Sequence, residues 1–459
     1  MDKLSRRSLL RASVGIAAAG TLLGRPYIAN AQAKTASMWL AQGFIPDEDT
    51  AYRTMVADYE KASGNKIDYS IVPFAPLRQK MISAVTSGVV PDIMEVADFF
   101  FAPLEAWNGR LLDVSDIVET QKSEFNQTAL LSSNLYNNET KKRAYYQVPW
   151  KEAAVPFHIW KSLVEKAGAN PADIPKTWTK FLDFFKPLQP KLQAQGMRHT
   201  YAYGWEISTV GVDPINTFYN FMIAYGGQGL VTPDGKLHAD DPAVKEAVLK
   251  ALTRFSNDFK EGYVPKGVVN WNDADDNNAF HSKLCIVDFD GTISTELALI
   301  HNKAEYDDII THGLPLNDEG KEFPAQAGVF GNVIAKGAKN VELATEFLKY
   351  TMEPKVLSKY LKGGLGRWAI PYPKVAQSDP FWIHSGDPHR TEYIKETLFG
   401  LSMPVYEAYS PAMAQVDTEH VFQLGIANIV DHGMAPEQAM EGALKRCQEI
   451  FAKYPIQQA

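Results

Sequence analysis

The sequence predicts an α/β protein of two lobes, because strand and helix patterns alternate along its 459 residues. "TASMWLA" (35–41) is typical of a short strand. Apolar residues at helical spacing from Tyr52 to Tyr59 follow it, and Gly64 marks the end of that helix. "KIDYSIV" then alternates apolar residues as a strand does. This β-α-β pattern favours a parallel-rich sheet, and the length exceeds that of a single core, so we expect two lobes.

Several later segments carry equally clear signals. "APLRQKMISAVTSG" predicts a helix, "PDIMEVA" predicts a strand, and "LCIVDF" predicts a buried strand. Thr177 is a candidate N-cap for a helix whose apolar face runs from Trp178 to Leu188. Asp241 and Asn340 are candidate N-caps of two more helices.

The first residues have the pattern of a cleaved export signal. The apolar run Val14–Gly24 is shorter than the about 20 residues that span a bilayer, and Ala29–Ala31 provides an A-x-A step. Arg6 and Arg7, in "SRRSLLRAS", favour the twin-arginine route. We therefore expect residues 1–31 to be a signal peptide and the mature protein to work in the periplasm.

Composition excludes several classes of function. Removing residues 1–31, which hold five cations and one anion, takes the formal net charge from −8 to −12, which disfavours nucleic acid and anionic membranes as partners. No later run is long and apolar enough to predict a membrane anchor. Cys285 and Cys447 are too few for an iron–sulfur or structural zinc framework, and whether they pair stays open. We expect a monomer without metal or cofactor.

Enzyme motifs are missing from the chain. No strand is followed by a G-x-G-x-x-G helix start, and neither G-x-S-x-G nor H-E-x-x-H occurs. The densest acidic run, Asp273–Asp276, indicates a solvated loop or a helix start; its oxygens would suit calcium, but it lacks the glycine and terminal glutamate of the helix-loop-helix calcium site. We expect no enzyme. A secreted carbohydrate-active hydrolase stays the alternative, since it needs only two facing carboxylates.

Four segments, in order, resemble those of a known family. They are "SGVVPDIMEVADFFFAPLEAWNGRLLDVSD", "YQVPWKEAAVPFHIWKSLVEKAGA" with "IPKTWTKFLDFFKPL", "WNDADDNNAFHSKLCIVDFDG", and "AGVFGNVIAKGAKNVELATEFLKYTM". Together they are similar to the extracellular solute-binding proteins of ABC importers, the sugar-binding family related to maltose-binding protein. The resemblance runs from about residue 35 to 360. It implies a small-molecule ligand, a sugar or polyol, and inner-membrane permease subunits as partners.

The resemblance also implies the type II periplasmic-binding-protein fold, with two α/β lobes joined by crossing hinge segments and a ligand cleft between them. The expected boundaries are 32–148 and 330–368 for the first lobe and 149–329 and 369–459 for the second. The expected crossings are Val148–Glu152, Ala327–Gly331 and Gly364–Ile370.

A sugar site needs flat rings for C–H faces and polar groups for hydroxyls. The candidates that the resemblance places in the cleft are Gln42, Phe44, Asp98, Phe99, Trp150, Lys151, Trp205, Glu206, Asp290, Gly291, Arg367 and Trp368. Each ring could instead belong to a core, as we expect for Trp178. Asp98 could cap a helix, and Glu206 could be a solvated surface group.

Overall fold

The computed structural model describes residues 33–96 and 98–457. The predicted signal peptide lies outside these residues. From Lys34 onward the described residues form one unit. None of the helices among them has the length and apolarity that crossing a membrane requires.

Twelve strands occur in the described part of the chain. They are Thr35–Ala41 (β1), Lys66–Val72 (β2), Ile93–Glu95 (β3), Asn134–Asn137 (β4), Lys142–Tyr145 (β5), Val148–Ala153 (β6), Phe157–Trp160 (β7), Tyr201–Tyr203 (β8), Cys285–Phe289 (β9), Ile309–His312 (β10), Ala325–Val333 (β11) and Ser402–Pro404 (β12).

Twenty-two α-helices surround these strands in the same residues. They are Pro46–Ser63 (α1), Phe74–Ser87 (α2), Phe101–Trp107 (α3), Ser115–Val118 (α4), Gln127–Ser133 (α5), Lys161–Lys166 (α6), Trp178–Phe185 (α7), Leu188–Ala194 (α8), Asp213–Ala224 (α9), Pro242–Lys260 (α10), Asp275–His281 (α11), Ser294–Leu297 (α12), Lys303–Tyr306 (α13), Val341–Thr351 (α14), Pro354–Gly363 (α15), Pro373–Ser378 (α16), Pro380–Ile383 (α17), Pro388–Phe399 (α18), Tyr406–Tyr409 (α19), Pro411–Thr418 (α20), Val421–Asp431 (α21) and Pro436–Phe451 (α22). Short 3-10 turns occupy Pro171–Asp173, Gln228–Leu230 and Lys266–Val269.

Two main sheets organise the fold. The six-stranded sheet has the order β12-β11-β3-β1-β2, with β6 also paired to β11; the four-stranded sheet has the order β10-β7-β9-β8, and β4 pairs with β5 as a separate hairpin. The expectation of parallel strands is confirmed for β1, which runs parallel to β2 and β3, but the two main sheets are mixed rather than parallel-rich. β11 runs antiparallel to both β3 and β6, and β7 runs antiparallel to β9 and β10. These strands pair over long sequence separations, which local patterns do not encode. The α/β class itself is confirmed.

Most of the local predictions match the structure. β1, β2 and the predicted helix between them are present, and Gly64 ends α1 at a positive φ of 76°, a conformation that favours glycine. Asp241 caps α10 by accepting a hydrogen bond from Ala243 N at 2.7 Å. Thr177 and Asn340 do occupy the N-cap positions of α7 and α14, but neither side chain accepts a capping hydrogen bond. The predicted side-chain caps are therefore wrong at these two positions.

The helix predicted to run from Trp178 to Leu188 is broken. α7 ends at Phe185, and Leu188 begins α8. Pro187 lies between them, and because proline has no N–H it cannot donate the hydrogen bond that would continue the helix. Trp178 is fully buried, as expected.

Each main sheet has its own hydrophobic core. The first core includes Met38 of β1 and Phe347 of α14, and the second includes Phe157 of β7 and Val287 of β9. Both cysteines are buried and unpaired, since each lies as a free thiol in the second core.

The three predicted crossing segments are adjacent in space. β6 pairs with β11, and Glu152 and Ala369 exchange two backbone hydrogen bonds of 3.1 and 2.9 Å. Glu152 is fully buried, its Oε2 accepts a hydrogen bond from Asn126 Nδ2 at 2.7 Å, and burial raises its pKa to about 8.

Candidate functional site

A cavity of about 650 Å³ lies between the two main sheets. On one side it is lined by residues that follow β1 and β3, and on the other by residues that follow β9. A smaller hollow of about 450 Å³ lies between α1 and α15 and contains none of the predicted site residues. The larger cavity is therefore the candidate site.

Aromatic rings dominate the wall on the side of the six-stranded sheet. Phe44 follows β1, Phe74 begins α2, Phe99 follows β3, Phe330 lies within β11, and Trp368 follows α15. Three of these rings form a continuous surface: the Phe330 centroid lies 4.8 Å from that of Phe99 and 4.8 Å from that of Trp368. This wall offers apolar faces to a bound molecule.

Carboxylates and amides dominate the wall on the side of the four-stranded sheet. The polar side chains there are Asp213 and Asn216 of α9, Asn272, Asp273 and Asn277 around the start of α11, and Asp290, Thr292 and Ser294 after β9. Val210 and Val212 interrupt this polar surface. The wall offers hydrogen-bond acceptors and donors in fixed positions.

Two arginines connect the walls. Arg78 of α2 pairs with Asp273 at 2.6 Å. Arg367 pairs with Glu48 at 2.9 Å, and its Nε donates a hydrogen bond to Thr292 Oγ1 at 3.3 Å. Burial raises the pKa of Glu48, but the charges of Arg367 and Lys151 and the hydrogen bonds from Arg367 and Trp368 together outweigh burial, so the net pKa is lowered.

A buried histidine supports the carboxylate wall from behind. His158 Nδ1 lies 2.7 Å from Glu296 Oε1, and its Nε2 lies 3.3 Å from the Asp290 backbone oxygen. Burial opposes the charged ring, but Glu296 raises the pKa of His158 to about 9. The protonated His158 ring therefore pairs mainly with the Glu296 carboxylate. Burial and Asp290 together raise the pKa of Asp288, on β9, to about 7.

Seven predicted residues line the cavity. They are Gln42, Phe44, Phe99, Asp290, Gly291, Arg367 and Trp368. All seven come from segments that follow a strand or a crossing, which is where an α/β sheet gathers ligand-binding residues.

Trp150 and Trp205 do not line the cavity, and the expectation that they do is corrected. Trp150 is fully buried and stacks on Tyr360 with ring centroids 4.9 Å apart. Trp205 is buried against Tyr203 with centroids 4.0 Å apart. Both rings therefore complete hydrophobic cores.

Three polar candidates also lie away from the cavity surface. Asp98 accepts hydrogen bonds from Phe100 N and Phe101 N at 2.9 and 2.8 Å, so it caps the start of α3. Lys151 is buried and pairs with Glu95 at 2.8 Å. Glu206 is buried behind the polar wall, so the solvated alternative for it is also wrong.

Several residues of the cavity were not among the predicted ones. Phe74, Arg78, Asp213 and Asn216 follow β2 or begin helices, and the rule used for Gln42 would have found Phe74. Asp273 belongs to the acidic run that was assigned to a loop or helix start. α11 does begin there, yet Asp273 itself faces the cavity.

Comparisons with known proteins agree with this architecture. A family model described as bacterial extracellular solute-binding protein matches residues 45–356. The diacetylchitobiose binding protein DasA of Streptomyces coelicolor is 23% identical over 361 residues, which cover 75% of each chain. The sn-glycerol-3-phosphate-binding periplasmic protein UgpB of Escherichia coli O1:K1 is 25% identical over 196 residues, 41% of this chain and 42% of that relative.

Solved structures share the fold at lower identity. An ABC transporter solute binding protein from Thermotoga lettingae, bound with alpha-D-tagatose, has a TM-score of 0.74 at 19% identity and covers 91% of this chain and 100% of that chain. Maltose-bound MalE3 of T. maritima has a TM-score of 0.73 at 16% identity, with 91% and 100% covered. The fold is therefore that of the type II periplasmic binding proteins, as the resemblance implied.

Proposed function

Because the chain belongs to the bacterial extracellular solute-binding proteins, we propose that it is the periplasmic receptor of an ABC importer for a neutral carbohydrate or polyol. The signal peptide, residues 1–31, directs its export by the twin-arginine route. The mature protein is a monomer without catalytic activity. It binds the solute in the cavity and delivers it to the permease in the inner membrane.

The difference between the two cavity walls carries this proposal. One wall presents rings such as Phe44 and Trp368, and the other presents carboxylates and amides such as Asp290 and Asn277. A sugar ring has apolar C–H faces and hydroxyls at its edges, so it satisfies both walls at once. A purely apolar ligand would leave the carboxylates and amides unpaired, at a cost in affinity.

The charges of the cavity favour a neutral solute over a phosphate ester. Arg78 and Arg367 are the arginines of the cavity wall, and each pairs with a carboxylate. Asp213 and Asp290 would repel an anion from the opposite wall. DasA is named for a disaccharide and UgpB for a phosphorylated polyol. We therefore expect the solute of this chain to resemble a neutral sugar more than a phosphorylated polyol.

We propose that the solute closes the two lobes around itself. The contacts of β6, β11 and Ala369 gather the crossing segments at one place, where small backbone rotations can move one sheet against the other. A solute that touches both walls favours the closed state by its differential affinity. Tyr372, Trp382 and Tyr393 pack in the core of the six-stranded sheet, which supports their moving with the first lobe rather than with the second.

Replacing Phe44 with alanine should weaken the binding of a neutral sugar. Phe44 is only half-buried on the cavity wall, so its loss removes a ligand contact with little effect on a core. We expect the Kd to rise about 5- to 150-fold, the range for losing one buried aromatic contact. Isothermal titration of the mature protein against mono- and disaccharides, polyols and glycerol 3-phosphate would identify the solute first.

Phe399→Ala is the matched control, because Phe399 is exposed on α18 and does not line the cavity. It should leave the Kd unchanged. Tight binding of glycerol 3-phosphate with no binding of any neutral sugar would contradict the proposal. Hydrolysis of a bound sugar would favour the hydrolase alternative.

Replacing Arg78 with glutamine should shift the protein toward an open state. The Arg78–Asp273 ion pair joins α2 to the segment before α11 across the cavity. Small-angle scattering should give a smaller radius of gyration when wild-type protein is saturated with solute, and Arg78→Gln should reduce that change at equal solute concentration. Lys303→Gln, which removes an exposed ion pair with Asp307, should behave as wild type. A radius that solute does not alter would exclude closure.

A further inference from the structure

A cluster of carboxylates lies in and behind the polar wall of the cavity. Asp213 begins α9, Asp276 lies in the first turn of α11, and Asp290 follows β9. One ligand atom of each lies within 4.8 Å of those of the other two. Asp276 is almost fully buried, whereas Asp213 and Asp290 line the cavity. Three separate elements therefore direct carboxylates to one point.

A fourth carboxylate points independently to a ligand at this place. Glu206 is 3% exposed, and neither of its carboxylate oxygens has a hydrogen-bond partner among the residues that the structure describes. Glu206 Oε2 lies close to Gly211, which is two residues before Asp213. A β-carbon at position 211 would lie 3.1 Å from Glu206 Oε2 and even closer to Asp273 Oδ1. A buried carboxylate with two unsatisfied oxygens is costly unless a cation or proton compensates it.

The cations that face this cluster already have other partners. Arg78 pairs with Asp273, His158 with Glu296, and Arg367 with Glu48. Within the part of the chain that the structure describes, Glu206, Asp213 and Asp276 therefore form no ion pair with a cationic side chain. The geometry is that of a recess lined by carboxyl groups, with one open side toward the cavity.

We propose that Asp213, Asp276 and Asp290 bind a divalent cation of the calcium class, whose charge would also compensate the nearby buried carboxylate of Glu206. Calcium binds carboxylate and amide oxygens at about 2.3–2.6 Å, so two of its ligands can lie up to about 5 Å apart. The ligand oxygens of the three aspartates lie within 4.8 Å of one another, which fits that range. A donor set made only of oxygens also suits calcium better than zinc or copper.

The depth of the cluster favours an ion over an ammonium group of the solute. Asp276 and Glu206 do not line the cavity, so a group carried on a sugar or polyamine would reach only Asp213 and Asp290. A bare ion can enter the recess and contact Asp276 as well as Asp213 and Asp290. The site does not depend on which solute the cavity takes.

Calcium should stabilise the protein in the absence of any solute. Mature protein freed of metal with a chelator and then given calcium at about 100 times its Kd should show a melting temperature about 2–5 °C higher. Magnesium should have a smaller effect, because it demands a tighter octahedral site. Calorimetric titration should give one calcium per chain.

Asp276→Asn is the decisive variant, because Asp276 lies outside the cavity surface. It should lose the calcium response, yet melt no lower than wild type without metal, since it removes like-charge repulsion from the cluster. Asp213→Asn, at the more accessible position, provides the same test should Asp276→Asn fail to fold. Glu319→Gln, at an exposed carboxylate paired with Lys321, should keep the full response.

The proposal fails if wild-type protein shows no calcium response, or if Asp276→Asn keeps it. It also fails if spermidine raises the melting temperature while calcium does not, because the recess would then serve an organic cation. These measurements contain no sugar, so their failure is separate from a failure of the proposed function.

Discussion

Replacing Trp205 with alanine should lower the free energy of unfolding by about 3–5 kcal/mol, the range for removing a buried tryptophan from a core. Trp205 is 1% exposed. Its ring stacks on Tyr203 at 4.0 Å and contacts Phe221 edge-on at 5.3 Å. Deleting it would leave a cavity that these rings cannot fill. Urea unfolding followed by fluorescence and circular dichroism measures the loss.

Trp39→Ala is the matched control for this prediction. Trp39 lies on β1, is only half-buried, and has Lys80 Nζ 3.7 Å from the centroid of its ring. Its loss should cost much less stability than that of Trp205. If Trp205→Ala instead unfolded like wild type and bound solute more weakly, Trp205 would be a ligand platform after all.

Replacing Lys151 with alanine should lower the free energy of unfolding by about 3–5 kcal/mol. The side chains of Lys151 and Glu95 are 5% and 3% exposed, and their charged atoms lie 2.8 Å apart. Burial disfavours the lysine cation, but Glu95, Tyr360 and Glu48 together outweigh burial and raise the pKa of Lys151. Without Lys151, Glu95 would be a buried charge lacking its partner. Thermal and urea denaturation should both show the loss.

A double variant separates the ion pair from simple packing. Glu95→Gln with Lys151→Met removes both charges, so most of the lost stability should return. Lys349→Ala, which removes an exposed ion pair with Asp116, should cost no more than about 1 kcal/mol. A full loss in the double variant would mean that the unpaired charge of Glu95 is not what destabilises Lys151→Ala. Solute affinity should change little, because Lys151 does not line the cavity.

Strands and helices could be predicted where neighbouring residues in the sequence carry the signal. β1 and α1 follow from short apolar patterns, and Gly64 follows from the left-handed conformation that ends a helix. The ends of β1 and β9 predicted Phe44 and Asp290 correctly as cavity residues, because strand ends of an α/β sheet converge on the ligand. The parallel pairing of β1 with β2 followed from the β-α-β pattern, but the antiparallel direction of β11 could not be predicted, since it pairs with β3 from more than 200 residues away.

The wrong predictions for Trp150 and Trp205 share one cause. Trp150 and Trp205 were expected at the surface of a cleft because polar neighbours follow each of them in the sequence. Those neighbours are themselves buried: Lys151 by its pair with Glu95, and Glu206 behind the cavity wall. A charged neighbour therefore indicated exposure wrongly, because ion pairs between distant residues can hold charge inside the fold.

The sequence by itself determined the α/β class, most strand and helix positions, the acidic character and the family resemblance, because these depend on composition and on short-range periodicity. Only the tertiary structure decided which side chains face the cavity, which rings belong to a core, and where carboxylates gather. Burial and charge pairing are set by contacts between residues far apart in the chain, such as Trp150 with Tyr360 and Arg78 with Asp273.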